Sequence, residues 1–366
     1  MMSTRRQLLT NAVGLAGMCF VGCSLLRSHH AHADTPRTVK VGGKRLKVID
    51  VHAHAAVPEA LQLAGLKIGE GLWRPDLVPA SVDERIAAMD AQGIDMECLS
   101  INAFWYGSER EVAAKICQIQ NERLAELCAK HSDRFLAYAS VALQYPDLAA
   151  DQLEQGVKKY HLRGAAIGGS CAGKELSDPA FHPFWAKAEA LGVPVFIHPQ
   201  PSGAASELKQ RLQGNGYLEN VIGNPLETTI ALSHLIFDGS LDRFPRLKII
   251  AAHGGGFLPS YAGRSDHGCL TLPDRCKGGA YGAIKKKPSE YLKQLYYDTM
   301  VFTPEGLRHL AAEVGAQQLV LGTDAPYPWT KTGVDHVLST PGLSDADKTA
   351  ILEGTAAKLL GVTARA

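Results

Sequence analysis

The 366-residue chain reads as an α/β protein, a (β/α)8 TIM barrel with a short N-terminal hairpin and long βα loops, on three observations. Strand-like apolar runs alternate with amphipathic helical stretches from residue 46 to 361. The runs number eight. They are nearly continuous in apolar residues, as parallel strands covered on both faces are. With 46% hydrophobic and 20% charged residues the chain can bury a large core, and a formal net charge of +1 offers no field for nucleic acid or an anionic membrane surface.

The first segment is unlike the rest. Arg5 and Arg6 precede an apolar stretch that closes in "AHADT", where small residues bracket His32, the pattern of a twin-arginine export signal cut after Ala33. Thr10, Asn11 and several glycines make that stretch a poor permanent span. "FVGC", ending at Cys23, imperfectly matches a lipoprotein box and is the alternative anchor. Residues 34–45 read as a linker and hairpin around Gly42 and Gly43, and residues 46–366 as one barrel domain.

The strands are expected at "LKVIDVHAH", "MECLSINA", "FLAYASVAL", "LRGAAIGG", "PVFIHPQ", "LKIIAAHGGG", "LYYDTM" and "LVLGTDAPYP". Helical patterns lie between them, among them "REVAAKICQIQNERLAELCAKH", "DLAADQLEQGVKKYH", "NPLETTIALSHLIFDG" and "TPEGLRHLAAEVG", with "DADKTAILEGTAAKLLG" closing the chain. Irregular insertions at 55–80, 201–224, 263–293 and 326–343 each follow a strand, which places them at the C-terminal face of a barrel. The Lys285 to Lys287 run reads as solvated surface. Cys98, Cys117, Cys128 and Cys171 read as small buried hydrophobes, whereas Cys269 and Cys276 share a loop and are placed to pair in an oxidising compartment.

The polar residues that interrupt the apolar runs fall at one end of them. Side chains alternate along a strand, so "DVHAH" puts His52 and His54 on one face. Strand 5 ends at His198, strand 6 at His253 and strand 8 at Asp324, and a barrel gathers these strand ends into one pocket. Three imidazoles and a carboxylate suit a borderline divalent ion such as zinc and leave a position open. His52, His54, His198 and Asp324 are therefore the expected metal ligands, with Asp324 taking part in catalysis through the ion. His253 is the expected acid/base group, since an imidazole pKa of about 6.5 suits proton transfer near neutrality. Strand 4, "LRGAAIGGS", has no lysine to bridge a second ion, and Lys174 lies in the loop beyond, so one metal is expected. His131, His161, His182, His234, His267, His309 and His336 fall in helices or loops and read as ordinary surface or core residues.

Taken together, "DVHAH", "FIHP", the block "NPLETTIALSHLIFDGSLDRFPRLKIIAAHGGGFLPSYAGRSDHG" and "LGTDAPYP" resemble the amidohydrolase superfamily, over nearly all of residues 46–361. The resemblance is to the branch around aminocarboxymuconate semialdehyde decarboxylase and the γ-resorcylate-type decarboxylases. It implies a mononuclear barrel holding zinc or manganese, the same four ligands, His253 as the catalytic histidine, and non-oxidative decarboxylation of a small aromatic or unsaturated carboxylic acid. It also implies Arg85, in "VDERIAAMD", as a clamp on a substrate carboxylate. Arg264, in "YAGRSDHG", is implied as a second arginine that reaches across the interface of a homodimer. A guanidinium fork pairs well with a carboxylate. Gln200 and Ala325 depart from the family pattern, which has a tryptophan and an aromatic residue there, and are expected to alter the pocket. The same metal site also supports a hydrolase of lactonase or amidohydrolase type, or a hydratase, in which activated water attacks the substrate. The combined expectation is a periplasmic enzyme for a small carboxylate, with no nucleic-acid partner and no stable membrane span once the signal is removed.

Overall fold

A computed structural model describes residues 35–78, 82–200, 210–277 and 284–363. The export signal expected over residues 1–33, with Cys19 and Cys23, lies outside the described residues, as do parts of the expected insertions. Among the described residues no helix is long and apolar enough to cross a membrane.

Among the described residues, eight parallel strands form the core. They are β1 (Ile49–His54), β2 (Met96–Ser100), β3 (Phe135–Ala137 and Ala139–Ser140), β4 (Ala165–Ile167), β5 (Pro194–Ile197), β6 (Lys248–Ala251), β7 (Leu295–Asp298) and β8 (Leu319–Val320). Each pairs in parallel with its neighbour in sequence. The break within β3 is bridged by Tyr138, whose N–H donates to Leu99 O at 2.9 Å while the next residue, Ala139, donates to Gly164 O at 2.8 Å. The barrel closes between β8 and β1: Val51 N–H donates to Leu321 O at 2.9 Å, Asp324 N–H to His52 O at 2.8 Å, and His54 N–H to Ala325 O at 2.6 Å. Closure leaves no sheet edge and draws the end of β8 against the end of β1.

The two faces of the strands bury separate apolar layers. Inside lie Ile49, Val51, Cys98, Tyr138, Phe196, Ile250 and Val320, joined by Leu359 and Leu360 of the C-terminal helical run. The outer layer packs the strands against helices α1 (Val82–Gln92), α2 (Arg110–Lys130), α3 (Pro146–Lys158), α4 (His182–Leu191), α5 (Asn224–Phe237), α6 (Ala262–Thr271) and α7 (Pro304–Val314). In β1 the register against β2 shifts between Asp50 and Ala53. Such a bulge re-aims side chains; within it the consecutive residues Val51 and His52 both face the interior, as Ile49 does below it, with the His52 ring 4.9 Å from Phe196.

The N-terminal hairpin forms as expected, Lys40–Val41 against Lys44–Arg45. Val39, Val41 and Leu46 belong to the outer apolar layer, so the hairpin is packed onto the barrel rather than tethered to it. The segment 263–293, expected as irregular, contains α6. Apart from Ala262, the side chains of α6 are exposed or only partly buried, so it leaves little apolar periodicity to read. Cys269 and Cys276 are joined by a disulfide, and Cys98, Cys117 and Cys171 are buried free thiols.

Gly164 sits where β4 meets β5, at a φ of +137°. A Cβ there would lie 2.0 Å from Pro194 O. Gly164→Ala is expected to destabilise the fold by roughly 2–4 kcal/mol, through left-handed backbone and steric overlap combined; urea unfolding of wild type and variant measures it.

Candidate metal centre and active site

Four strand ends converge. Ligand atoms of His52 and His54 from β1, His198 just after β5 and Asp324 after β8 all lie within 4.8 Å of one another, and all four residues are buried. His253 follows β6, its ring 5.3 Å from those of His52 and His198. The convergence follows from barrel closure, because Asp324 is held by its own N–H on the His52 carbonyl.

Hydrogen bonds fix which nitrogens face the centre. A carboxylate only accepts, so His52 Nδ1–H donates to Asp298 Oδ2, at 2.6 Å. Ser100 Oγ–H donates to Ala53 O at 3.1 Å and accepts from His54 Nδ1–H at 3.0 Å. Both Nε2 atoms are thereby directed inward, 3.1 Å apart, with Asp324 Oδ1 at 3.2 Å from one and 2.8 Å from the other. Both ring nitrogens of His198 are buried without a hydrogen-bond partner. Donors about 3 Å apart are what ligands at about 2.0–2.1 Å from one ion present, and orphaned buried nitrogens ask for a cation. The residues fit a single divalent ion.

Electrostatics agree. Burial raises the Asp324 carboxyl, but His52 and His54 outweigh it and hold its pKa well below the ordinary value. Burial lowers His52, but Asp324 and Asp298 together outweigh it and carry its pKa up to about 10. The pocket therefore stabilises positive charge at this point. Burial, followed by the neighbouring imidazoles, pushes His198 well down, and burial with His52 brings His253 down to about 4, leaving both neutral at pH 7. Backbone strain marks the same spot: His253 and Asp324 have φ of +56° and +62°, a region that bulky residues occupy only when their surroundings impose it.

Three acidic residues were missed by the sequence reading. Asp298, at the end of β7, accepts His52 Nδ1–H and also the N–H groups of His253 at 2.9 Å and Gly254 at 2.8 Å, so it aims His52 and anchors the turn that carries His253. Asp50 accepts from His52 N–H at 2.9 Å and from Thr323 Oγ1–H at 2.5 Å; burial and Glu97 push its pKa up to about 7. Glu227, on α5, accepts from Gln200 N–H at 2.8 Å and Ser170 Oγ–H at 3.3 Å, and burial raises its pKa to about 7. The signal for Asp298 and Asp50 was present, since each carboxylate lies within an apolar strand. Glu227 lies inside a helical pattern that hides it.

The two arginines differ in their surroundings, and Arg85 Nη2 is buried without a hydrogen-bond partner. Arg85 donates through Nε to Glu97 Oε2 at 2.5 Å and through Nη1 to His54 O at 2.6 Å, so it braces the backbone of β1 behind the ligands. Arg264 is exposed on α6, and neither arginine is among the residues that line the chamber above the ligands. Gln200 is buried, its side-chain amide donating to Ala103 O, and Ala325 pairs with Ala53. Neither lines that chamber, which is formed by His198, Asp324, Asn102, Asn224, Tyr327 and their neighbours. Gln200 is tied to the strand-end framework through Ala103 O and Glu227, and Ala325 through Thr323 Oγ1 and the His54 N–H.

A model of the amidohydrolase family matches residues 49–362. The 2-amino-3-carboxymuconate-6-semialdehyde decarboxylase of Dictyostelium discoideum is 30% identical over 299 residues, 81% of this chain and 79% of that one. A γ-resorcylate decarboxylase from a Rhizobium species is 30% identical over 330 residues, 85% of this chain and 97% of its own length. Among solved structures, a dihydroxybenzoic acid decarboxylase from Polaromonas, with bound manganese and the inhibitor 2-nitroresorcinol, superposes with a TM-score of 0.76 at 28% identity, over 88% of this chain and 98% of that one.

Asp298→Ala is expected to weaken divalent-metal affinity by about 10–100-fold, as loss of a group that orients a ligand does; calorimetric titration of the apoprotein measures it. Glu227 gives a pH test. With its folded pKa raised from 4.5 to about 7, its contribution is complete below pH 4.5 and lost as pH rises through 7. The change is about 3 kcal/mol at most. Glu227→Gln is therefore expected to be relatively more stable, compared with wild type, at pH 8 than at pH 5 in urea unfolding.

Proposed function

Because the chain belongs to the amidohydrolase family, we propose that it is a mononuclear metal-dependent carboxy-lyase, which removes CO2 without oxidation from a small aromatic or unsaturated carboxylic acid. The observation that carries this reading is the buried set of His52, His54, His198 and Asp324, with the neutral His253 beside it, in a chain whose full-length relatives are named decarboxylases. The ion is zinc or manganese: the donor set suits zinc, and the similar Polaromonas enzyme holds manganese. When bound, a divalent ion supplies a Lewis acid that orients the substrate and offsets negative charge as CO2 departs.

The protein's own groups do the rest. A proton is placed on the carbon that bears the carboxylate, the carbon–carbon bond breaks, its electron pair returns to the substrate's π system, and CO2 leaves. No electrons are lost, so no redox cofactor is required. His253, neutral and with a buried, unpartnered Nδ1, is the group that would take this proton from solvent water and pass it to that carbon, the water's hydroxide being neutralised by bulk solvent. Asp298 positions His253 by its backbone, and Arg85 positions β1 through Glu97 and the His54 carbonyl. Asn102 and Asn224 are placed to meet polar substituents of the substrate.

Export belongs to the same proposal. Arg5 and Arg6 ahead of an apolar stretch support a twin-arginine signal over residues 1–33 and a periplasmic location, and the Cys269–Cys276 disulfide suits an oxidising compartment. We take the enzyme to be a homodimer, with Arg264 on its exposed helix placed to reach a second subunit.

His253→Ala is expected to lower kcat by about 10²–10⁴-fold with metal content retained. CO2 release from a panel of aromatic acids, with elemental analysis of the same preparations, measures both; a His253→Ala variant of near-normal activity sinks the assignment. If the panel yields hydrolysed or hydrated products and no CO2, the hydrolase or hydratase reading replaces this one.

A further inference from the structure

Two chambers open beside the ligand cluster, and one indole lines both. The first, of about 190 Å3, is lined by His198 and Asp324 and flanked by Leu72, Tyr217, Tyr327 and Trp329. The second, of about 360 Å3, is lined by His253 together with Val221, Phe257, Met300, Phe302 and Leu310. Trp329 and Asn220 belong to both linings. The Trp329 ring lies 6.2 Å from that of Tyr217, within 8° of parallel, and 6.3 Å from that of Phe302, tilted by 46°.

The local backbone of this rim is strained. Tyr217 and Phe302 have φ of +54° and +56°, yet both are more than half exposed, at 55% and 53%. A bulky residue in that region costs about 1–3 kcal/mol, and an exposed ring forgoes the burial that would offset it. Asn220 lies in a π-helical turn, Glu219–Gly223, a feature frequent at functional sites.

We propose that the second chamber and the Tyr217, Trp329 and Phe302 rim bind an apolar, planar extension of the substrate, so that the preferred acid carries a second ring. The proposal rests on the decarboxylase reading. The first chamber is smaller than the roughly 300–1,000 Å3 usual for ligand pockets, whereas the two together fall within that range. The first suits a single ring. Around the second, apolar side chains and glycine backbone outnumber the polar groups, and a charged extension would lose hydration there without a charge partner. Stacking on an indole selects for a flat, apolar shape.

The test uses the metal-loaded full chain with 2-hydroxybenzoate and its 4-phenyl and 5-phenyl derivatives, reading affinity by calorimetry and turnover by CO2 release. At least one phenyl derivative is expected to bind about tenfold more tightly than the parent acid. Trp329→Ala, and Ser260→Trp, which fills the edge of the second chamber, are both expected to erase most of that preference. Equal affinity of wild type for all three acids, or a preference that survives both substitutions, overturns the proposal. Both sites are at least partly exposed, and circular dichroism with metal content verifies folding. A phenyl preference without CO2 release keeps the subsite and removes the decarboxylase reading; CO2 release without preference does the reverse.

Discussion

The hydrogen bond from His52 Nδ1 to Asp298, 2.6 Å long and fully buried, is the interaction on which the site depends. It sets the tautomer of His52, so that Nε2 faces the centre. It also ties β1 to β7, because Asp298 is the last residue of β7. Through its bonds to the N–H groups of His253 and Gly254, the same carboxylate holds the turn after β6. One buried acid thus aims a ligand and sets the backbone of the acid/base residue at once. Its own pKa is raised by burial but pulled below the ordinary value chiefly by that bond to His52.

Barrel closure makes this arrangement possible and leaves little room for variation. Gly322 shows how tight the packing is: a Cβ there would lie 2.7 Å from the Asp298 Cβ and 3.0 Å from that of His52. The absence of a side chain lets the β8 end pass between the two residues whose hydrogen bond orients the site. Asp50 adds a second tie, joining the N–H of His52 to Thr323 on the β8 extension. Buried polar groups in such a network are costly unless all are satisfied, and here nearly every one has a partner. Among the described residues around the site, the exceptions are both His198 nitrogens, His253 Nδ1, Asn102 Oδ1 and Arg85 Nη2.

The strands, the (β/α)8 order and the ligand set were legible in the sequence because each rests on a local pattern. Apolar runs of strand length are read directly, and a histidine or aspartate that ends such a run stands out against it. His52, His54, His198, His253 and Asp324 were all of this kind. The helix α6 was not legible, since only Ala262 of its residues is buried and no apolar stripe announces it. Arg85 was legible as a residue but its intramolecular bonds were not: its partners Glu97 and His54 lie 12 and 31 positions away, and only the folded β1–β2 pair brings them together.

The sequence by itself determined the fold class, the number of strands and the residues at their C-terminal ends, because strand periodicity and chain order are one-dimensional properties. The tertiary structure decided which nitrogens of His52 and His54 face inward, that Asp298, Asp50 and Glu227 support the site, that Gln200 and Ala325 bond within the strand-end framework, and that Trp329 lines two chambers. Those outcomes depend on distances between residues far apart in the chain. Such distances are fixed only when closure of the barrel forces eight strand ends around one small volume.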